Sequence, residues 1–176
     1  MPGTNTKIVA SVYDQGNDLV KESLILELDS PNRKNVFSKT ANSNEELSYE
    51  FSQYAEPGVY ILIARYKTLS EQALINVPSV KDIRIRYENE TIVIQNAGNI
   101  PFEDELTFIL DSNTKKYPVT KKVKVEPSKI ASIDLSREVP FGTYNIESRI
   151  SESVSKFKSK FNGTFDSSLG AKNMPQ

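Results

Sequence analysis

Residues 96–112 read NAGNIPFEDELTFILDS, and residues 14–30 read DQGNDLVKESLILELDS. Gly16-Asn17 falls on Gly98-Asn99 and Leu28-Asp29-Ser30 falls on Leu110-Asp111-Ser112, with 82 residues separating each pair. A second block repeats further along the chain. LSYEFSQYAEPGVYILIAR (47–65) aligns with ASIDLSREVPFGTYNIESR (131–149), bringing Gly58 onto Gly142, Tyr60 onto Tyr144 and Arg65 onto Arg149, now 84 residues apart. Two blocks that agree in order and spacing point to an internal duplication. The step from 82 to 84 implies one insertion of about two residues, expected near Val123–Pro127 in a loop, where little packing depends on length.

Working outward, apolar residues alternate or run in short blocks, with turn residues every eight to twelve positions. This is the rhythm of short antiparallel strands. Strands are predicted at 7–13, 22–29, 35–39, 47–52, 59–66 and 71–77 in the first half. In the second half they are predicted at 82–87, 90–95, 105–111, 117–125, 130–135, 142–150 and 155–162. No segment carries a sustained helical period with caps. Val20–Leu28 can be drawn as a helix, but Ile25, Leu26 and Leu28 below the repeated turn favour a strand. The expected fold class is all-β, as two antiparallel sandwich domains related by duplication. Their expected bounds are 7–78 and 79–165, with polar tails at 1–6 and 166–176. The boundary falls at NVPSVKD (76–82), where Pro78 has no N–H for a sheet ladder and stiffens a short linker.

The Gly-x-Tyr at 58–60 and 142–144, leading into an alternating strand, resembles the corner of immunoglobulin-like and fibronectin-III-like sandwiches. In those folds a tyrosine hydroxyl caps backbone at a turn between sheets. The PGVY form is closer to prokaryotic Ig-like and transthyretin-like modules. Fibronectin III usually has a Leu six residues before the Tyr, where this chain has Tyr54 and Glu138. NAGNIPFEDELTFIL is similar to a turn in adhesion-type Ig-like domains of bacterial and archaeal surface proteins. The resemblance covers most of the chain. It implies a stalk, spacer or adhesive segment of an extracellular or cell-surface protein, and it speaks to architecture more than to activity.

Composition removes whole classes of chemistry. The 176 residues include no Cys and no His, so disulfides, Cys/His metal sites and imidazole-based catalysis are excluded. Lys and Arg number 22 against 23 Asp and Glu, so no overall field draws the protein to nucleic acid or an anionic membrane. The longest apolar runs, such as Val59–Ala64, are strand-length and do not span a bilayer. The N-terminal MPGTNTK has no apolar core and is not expected to be a signal peptide. No Gly-rich phosphate loop or nucleophile elbow is present, and no catalytic residue, cofactor or metal is expected.

The remaining candidates are local. Tyr60 and Tyr144 are read as corner residues. Gly16-Asn17 and Gly98-Asn99 are expected to supply positive φ in tight connections, with Gly58 and Gly142 at the corners. Lys115, Lys116, Lys121, Lys122 and Lys124 form the one local excess of charge. Two readings are open for them: a face for an anionic glycan, a phosphopolymer or an acidic partner protein, or edge protection with Pro118 among the lysines. Tyr13, Tyr54, Tyr87 and Phe141 are candidates for stacking on sugars, although Trp, the usual platform, is absent. The clusters DQGND (14–18) and FEDEL (102–106), with Asp82, invite a Ca²⁺ check but lack the ligand spacing of a dedicated loop. Asn89-Glu90-Thr91 and Asn162-Gly163-Thr164 match the glycosylation triplet. A binding module and an accessory domain of a larger enzyme stand behind the spacer reading.

Overall fold

The computed structural model describes residues 2–88, 90–112, 114–140, 142–150 and 162–167. The described residues form thirteen strands and no helix. The protein is all-β, and every strand pairing is antiparallel. The chain divides into two compact units, Met1–Val80 and Lys81–Gln176.

The first unit contains β1 (Asn5–Val9), β2 (Ser23–Asp29), β3 (Asn35–Asn42), β4 (Glu46–Glu50), β5 (Gly58–Tyr66) and β6 (Leu69–Val77). Its four-stranded sheet has the order β3-β2-β5-β6, and β1 pairs with β4 in a two-stranded sheet. The second unit contains β7 (Ile83–Glu88), β8 (Thr91–Asn96), β9 (Phe102–Asp111), β10 (Lys116–Val125), β11 (Ile130–Asp134), β12 (Gly142–Ile150) and β13 (Asn162–Ser167). Its sheets are β10-β9-β12-β13 and β11-β8-β7.

Alternation drives burial. In β2 the pattern puts Leu24, Leu26 and Leu28 inside and leaves Ile25 exposed. In β9, Phe102, Leu106, Phe108 and Leu110 point inward on the same period. The second unit has one continuous core in which Ile83, Ile92 and Ile94 of the smaller sheet meet Leu106, Phe108, Leu110, Val119, Val123 and Ile146 of the larger. The core of the first unit falls into two smaller clusters. One is built around Ile8, Leu24, Leu26, Ala41 and Leu47, and the other around Leu28, Phe51, Tyr60 and Val77.

The two units follow the same plan. Shifting each label by seven converts β3-β2-β5-β6 into β10-β9-β12-β13 and β1-β4 into β8-β11; only β7 is left over. Register follows the sequence offsets. Leu28 faces Leu62 and Leu110 faces Ile146, while Leu26 faces Ala64 and Phe108 faces Ser148.

Several expected bounds change. The first strand stops at Val9, short of residue 13, and it begins inside the expected tail, at Asn5. Thr4 already accepts the Phe51 amide at 3.1 Å, which ties the tail to the sheet. The last strand is Asn162–Ser167, so it too runs into an expected tail, and residues 155–161 lie outside the described residues. The length difference between halves is not one insertion. Eight residues separate Leu28 from its partner Phe37, and six separate Leu110 from its partner Tyr117. The second half therefore loses two residues in this hairpin and gains four before β11. Part of that gain lengthens β10 to ten residues against eight in β3, within the sheet rather than only in a loop.

Candidate functional site

Lys116, Lys121, Lys122 and Lys124 lie on β10, at the edge of its sheet, and Lys115 immediately precedes it. Strand alternation splits them. Lys116, Lys122 and Lys124 are exposed on one face, while Lys121 shares the inward-leaning face with buried Val119 and Val123. Each of these four has an acidic neighbour within its own unit. Lys116 Nζ lies 3.4 Å from Asp111, Lys121 Nζ 2.7 Å from Glu138, and Lys122 Nζ 3.1 Å from Glu103. Lys124 lies between Glu103 at 4.0 Å and Glu126 at 3.9 Å. Lys115 sits over the Tyr117 ring, 5.1 Å from its centre. A hydrogen bond from Lys122, then the charges of Lys122 and Lys124, hold the Glu103 carboxyl below the usual range. The groove beside these residues, about 470 Å³, is lined by Lys121, Lys124 and Arg137 but also by Asp134 and Glu138. Its charge is mixed, and β10 presents no row of unneutralised cations. Pro118 is exposed on the same edge strand, opposite Ile109.

The two tyrosines occupy matched corners. Tyr144 is buried and its hydroxyl donates to the Pro140 carbonyl at 2.8 Å. Tyr60 is buried and its hydroxyl shares a hydrogen bond with the backbone of Glu56. In both cases the partner is four residues upstream. Burial raises both hydroxyl pKa values above the free value. Around Tyr60 the filling is aromatic, with edge-to-face contacts running from Phe37 through Tyr49 and Phe51 to Tyr60 at 5.4, 4.9 and 5.1 Å. The second unit keeps the outer members as Tyr117 and Tyr144, 5.8 Å apart.

The repeated glycine-asparagine pairs keep the expected positive φ in the first turn, at Asn17, and not in the second. Of Gly16, Asn17, Gly98 and Asn99, only Asn17 has positive φ, at 67°. The glycine amides are instead donors in matched turns. Gly16 N–H donates to Asp14 Oδ1 at 2.9 Å, and Gly98 N–H donates to Asn96 Oδ1 at 2.9 Å. A short side chain two residues upstream closes the turn by accepting from the backbone, so the glycines need no left-handed conformation. Gly58 is the repeat glycine with positive φ, at 133°, and a Cβ there would come within 2.9 Å of Pro31 Cγ. Gly142 has no positive φ, and a Cβ would meet the Tyr144 ring at an ordinary 3.5 Å.

Asn96 was not singled out in the sequence, yet it is fully buried and ties three segments together. Its Nδ2 donates to the carbonyls of Ile100 at 2.8 Å and Val125 at 2.9 Å while its Oδ1 holds Gly98. The signal lay in the first letter of the opening quotation, where Asn96 aligns with Asp14. Tyr87, a candidate for sugar stacking, packs on the core and its hydroxyl accepts the Glu90 amide at 2.9 Å. Tyr54 is half-buried, and Tyr13 is exposed. Phe141 and Asn89 lie outside the described residues; Asn162 starts β13. Among the described residues, no three Asp or Glu side chains come together in a group that could hold a metal ion. The Asp82 carbonyl accepts the amides of Ala97 and Gly98. Among the described residues no helix is long and apolar enough to cross a membrane.

No protein-family model matches the chain, and no curated protein matches it.

Proposed function

We propose that the chain is a tandem pair of immunoglobulin-like modules, descended by duplication, that serves as a non-catalytic spacer or adhesive segment of a cell-surface or secreted protein. The observation that carries this reading is the threading of the second unit. β7 begins opposite Asn96 at one end of the sandwich, and β13 finishes opposite Gly142 at the other. The chain of the second unit therefore enters and finishes its last described strand at opposite ends, which suits an element loaded in series. The shared strand order, the offset-matched register and the paired tyrosine corners support descent from one module. Seven strands split three and four between antiparallel sheets agree with an immunoglobulin-class sandwich. The ion pairs along β10 favour edge protection over a site for an anionic glycan or acidic partner.

The mechanical part is tested by stretching the full chain between its ends in a force spectrometer. The expected trace has a discrete event in which the second unit releases about 250 Å of chain, at roughly 3.4 Å per residue after subtracting the folded span. A chain that extends smoothly, without a resolved event, overturns the spacer reading. Protease treatment of intact source cells tests location: loss of the chain from unbroken cells is expected, and full protection overturns a surface position.

A further inference from the structure

β7 has no counterpart in the first unit, where β1 pairs with β4 alone and its other edge is open. The first unit is also less covered on the core side of β6. Alternation and register turn Leu69 and Glu71 to the same side as Tyr66 and Ala64 of β5, the core side. Leu69 is nonetheless 62% exposed, and Glu71 is exposed. Both line a cavity of about 170 Å³. Its floor is the apolar core itself, where Leu24 is buried and Ala64 and Tyr66 pack against it. A second wall is formed by residues 10–13, which follow β1. Hydrogen bonds fix that wall in place. The Ala10 carbonyl accepts the Asn44 amide at 2.8 Å, the Val12 amide donates to Ser43 Oγ at 2.9 Å, and the Val12 carbonyl accepts the Val20 amide at 2.9 Å. The cavity is therefore preformed.

Glu71 brings a carboxylate to this apolar lining. The two cations of the adjoining hairpin are committed elsewhere: Arg65 Nε lies 2.9 Å from Glu27 and Lys67 Nζ 2.9 Å from Glu22, which also accepts the Tyr66 hydroxyl at 2.7 Å. Glu71 itself makes no ion pair among the described residues. We propose that the cavity binds a small primary amine, with its ammonium group on Glu71 and its apolar body on Leu24, Ala64 and Tyr66. Other ligand classes fit less well. An anion is repelled by the carboxylate. A neutral apolar molecule displaces water from Glu71 and offers it no partner. A metal ion needs more oxygen ligands than one carboxylate supplies. Size limits the body: an apolar cavity of roughly 150 Å³ holds one benzene molecule, so the ligand carries about one ring or a short branched chain. The site adds a ligand to the first unit and is independent of the spacer role.

The probe is benzylamine, titrated into the full chain at neutral pH and followed by amide chemical shifts. Saturable shifts are expected at Val12, Ala64, Leu69 and Glu71. Benzyl alcohol, which keeps the ring and lacks the charge, should bind roughly tenfold more weakly, the worth of one charge-assisted contact. Methylamine, which keeps the charge and lacks the ring, should be weaker by a similar factor, and phenylacetate should not bind. Glu71→Gln, at an exposed position and so compatible with folding, should bring benzylamine down to the level of benzyl alcohol and leave benzyl alcohol unchanged. Raised salt should weaken benzylamine alone, because it screens the ion pair. No saturable binding overturns the proposal, as does equal binding of benzylamine and benzyl alcohol. Benzylamine binding that survives Glu71→Gln overturns it too. Shifts that spread over the other acidic residues instead of the cavity show general attraction to carboxylates and also overturn it.

Discussion

At the scale of single residues, each unit depends on short polar side chains and hydroxyls that close backbone turns. Tyr144 illustrates the energetics. Its hydroxyl satisfies a carbonyl beside a buried ring, so Tyr144→Phe leaves that carbonyl without its partner and should cost about 1–2 kcal/mol. Urea denaturation of the full chain, followed by near-ultraviolet absorbance and by exchange in the second unit, measures it. An unchanged midpoint for that unit would remove the corner role. The same burial has a pH signature. Tyr60 and Tyr144 hold their protons to higher pH than the free value of 10.0. The native state then binds more protons than the unfolded chain above that value, so stability falls as pH rises. The contribution is intact below about pH 10 and is lost as pH climbs through the folded values. Alkaline titration should reveal two tyrosines ionising above the free value, with midpoints of thermal unfolding falling over the same range. Ionisation of all tyrosines together near the free value is the contrary result.

At the scale of elements, β10 and β1 are edges managed in different ways. β10 carries Pro118 and a line of lysines, each with an acid beside it. Exposed ion pairs of this kind add little stability, whereas their charge discourages pairing with another chain's edge. Replacing Lys115, Lys116, Lys121 and Lys122 together by Gln should therefore leave the unfolding midpoint nearly unchanged and increase self-association, read by light scattering. Loss of binding to an acidic polysaccharide, with no change in association, would instead assign the strand to an anionic partner. The acids respond to pH in the usual direction. Glu103 and Asp134 are held below their ordinary range, Glu103 by Lys122 and Asp134 by the Ser136 hydroxyl. Their small contributions are present above the unfolded carboxylate values and fade as pH falls through the folded ones.

At the scale of the whole molecule, the difference between units is one strand and its consequences for the core. Fourteen buried residues form a single cluster in the second unit, against clusters of five and four in the first. Burial of apolar area is the main source of stability, at about 25 cal/mol per Å², so the first unit should unfold at lower denaturant. Hydrogen exchange of the full chain along a urea series should show amides of β2 and β5 exposed before those of β9 and β12. Simultaneous loss of protection in both units would contradict this order. Chain threading differs as well. In the first unit both ends lie together, since Gly3 donates to Phe51 and Phe51 packs with Val77; β7 is what places entry and exit of the second at opposite ends.

The sequence by itself determined the class of structure and most of its strands. Alternation at Leu24, Leu26 and Leu28 and at Leu106, Phe108 and Leu110 leaves only one face that can be buried, and period two admits no helix. Repetition added the correspondence between Gly58-x-Tyr60 and Gly142-x-Tyr144, because a corner needs the same residues wherever it is built. Tertiary structure decided the rest. Whether a glycine has positive φ depends on what approaches it, so Gly58 against Pro31 could not be told from Gly16 or Gly98 by composition. Asn96 became a three-way tie only when Ile100 and Val125 were folded around it. The lysines of β10 formed a charge run in one dimension and a set of ion pairs in three, because Glu103, Asp111 and Glu138 arrive from elsewhere in the chain. The open edge of β1 was invisible for the same reason: a missing neighbour is a property of the sheet, and no local pattern in Asn5–Val9 records it.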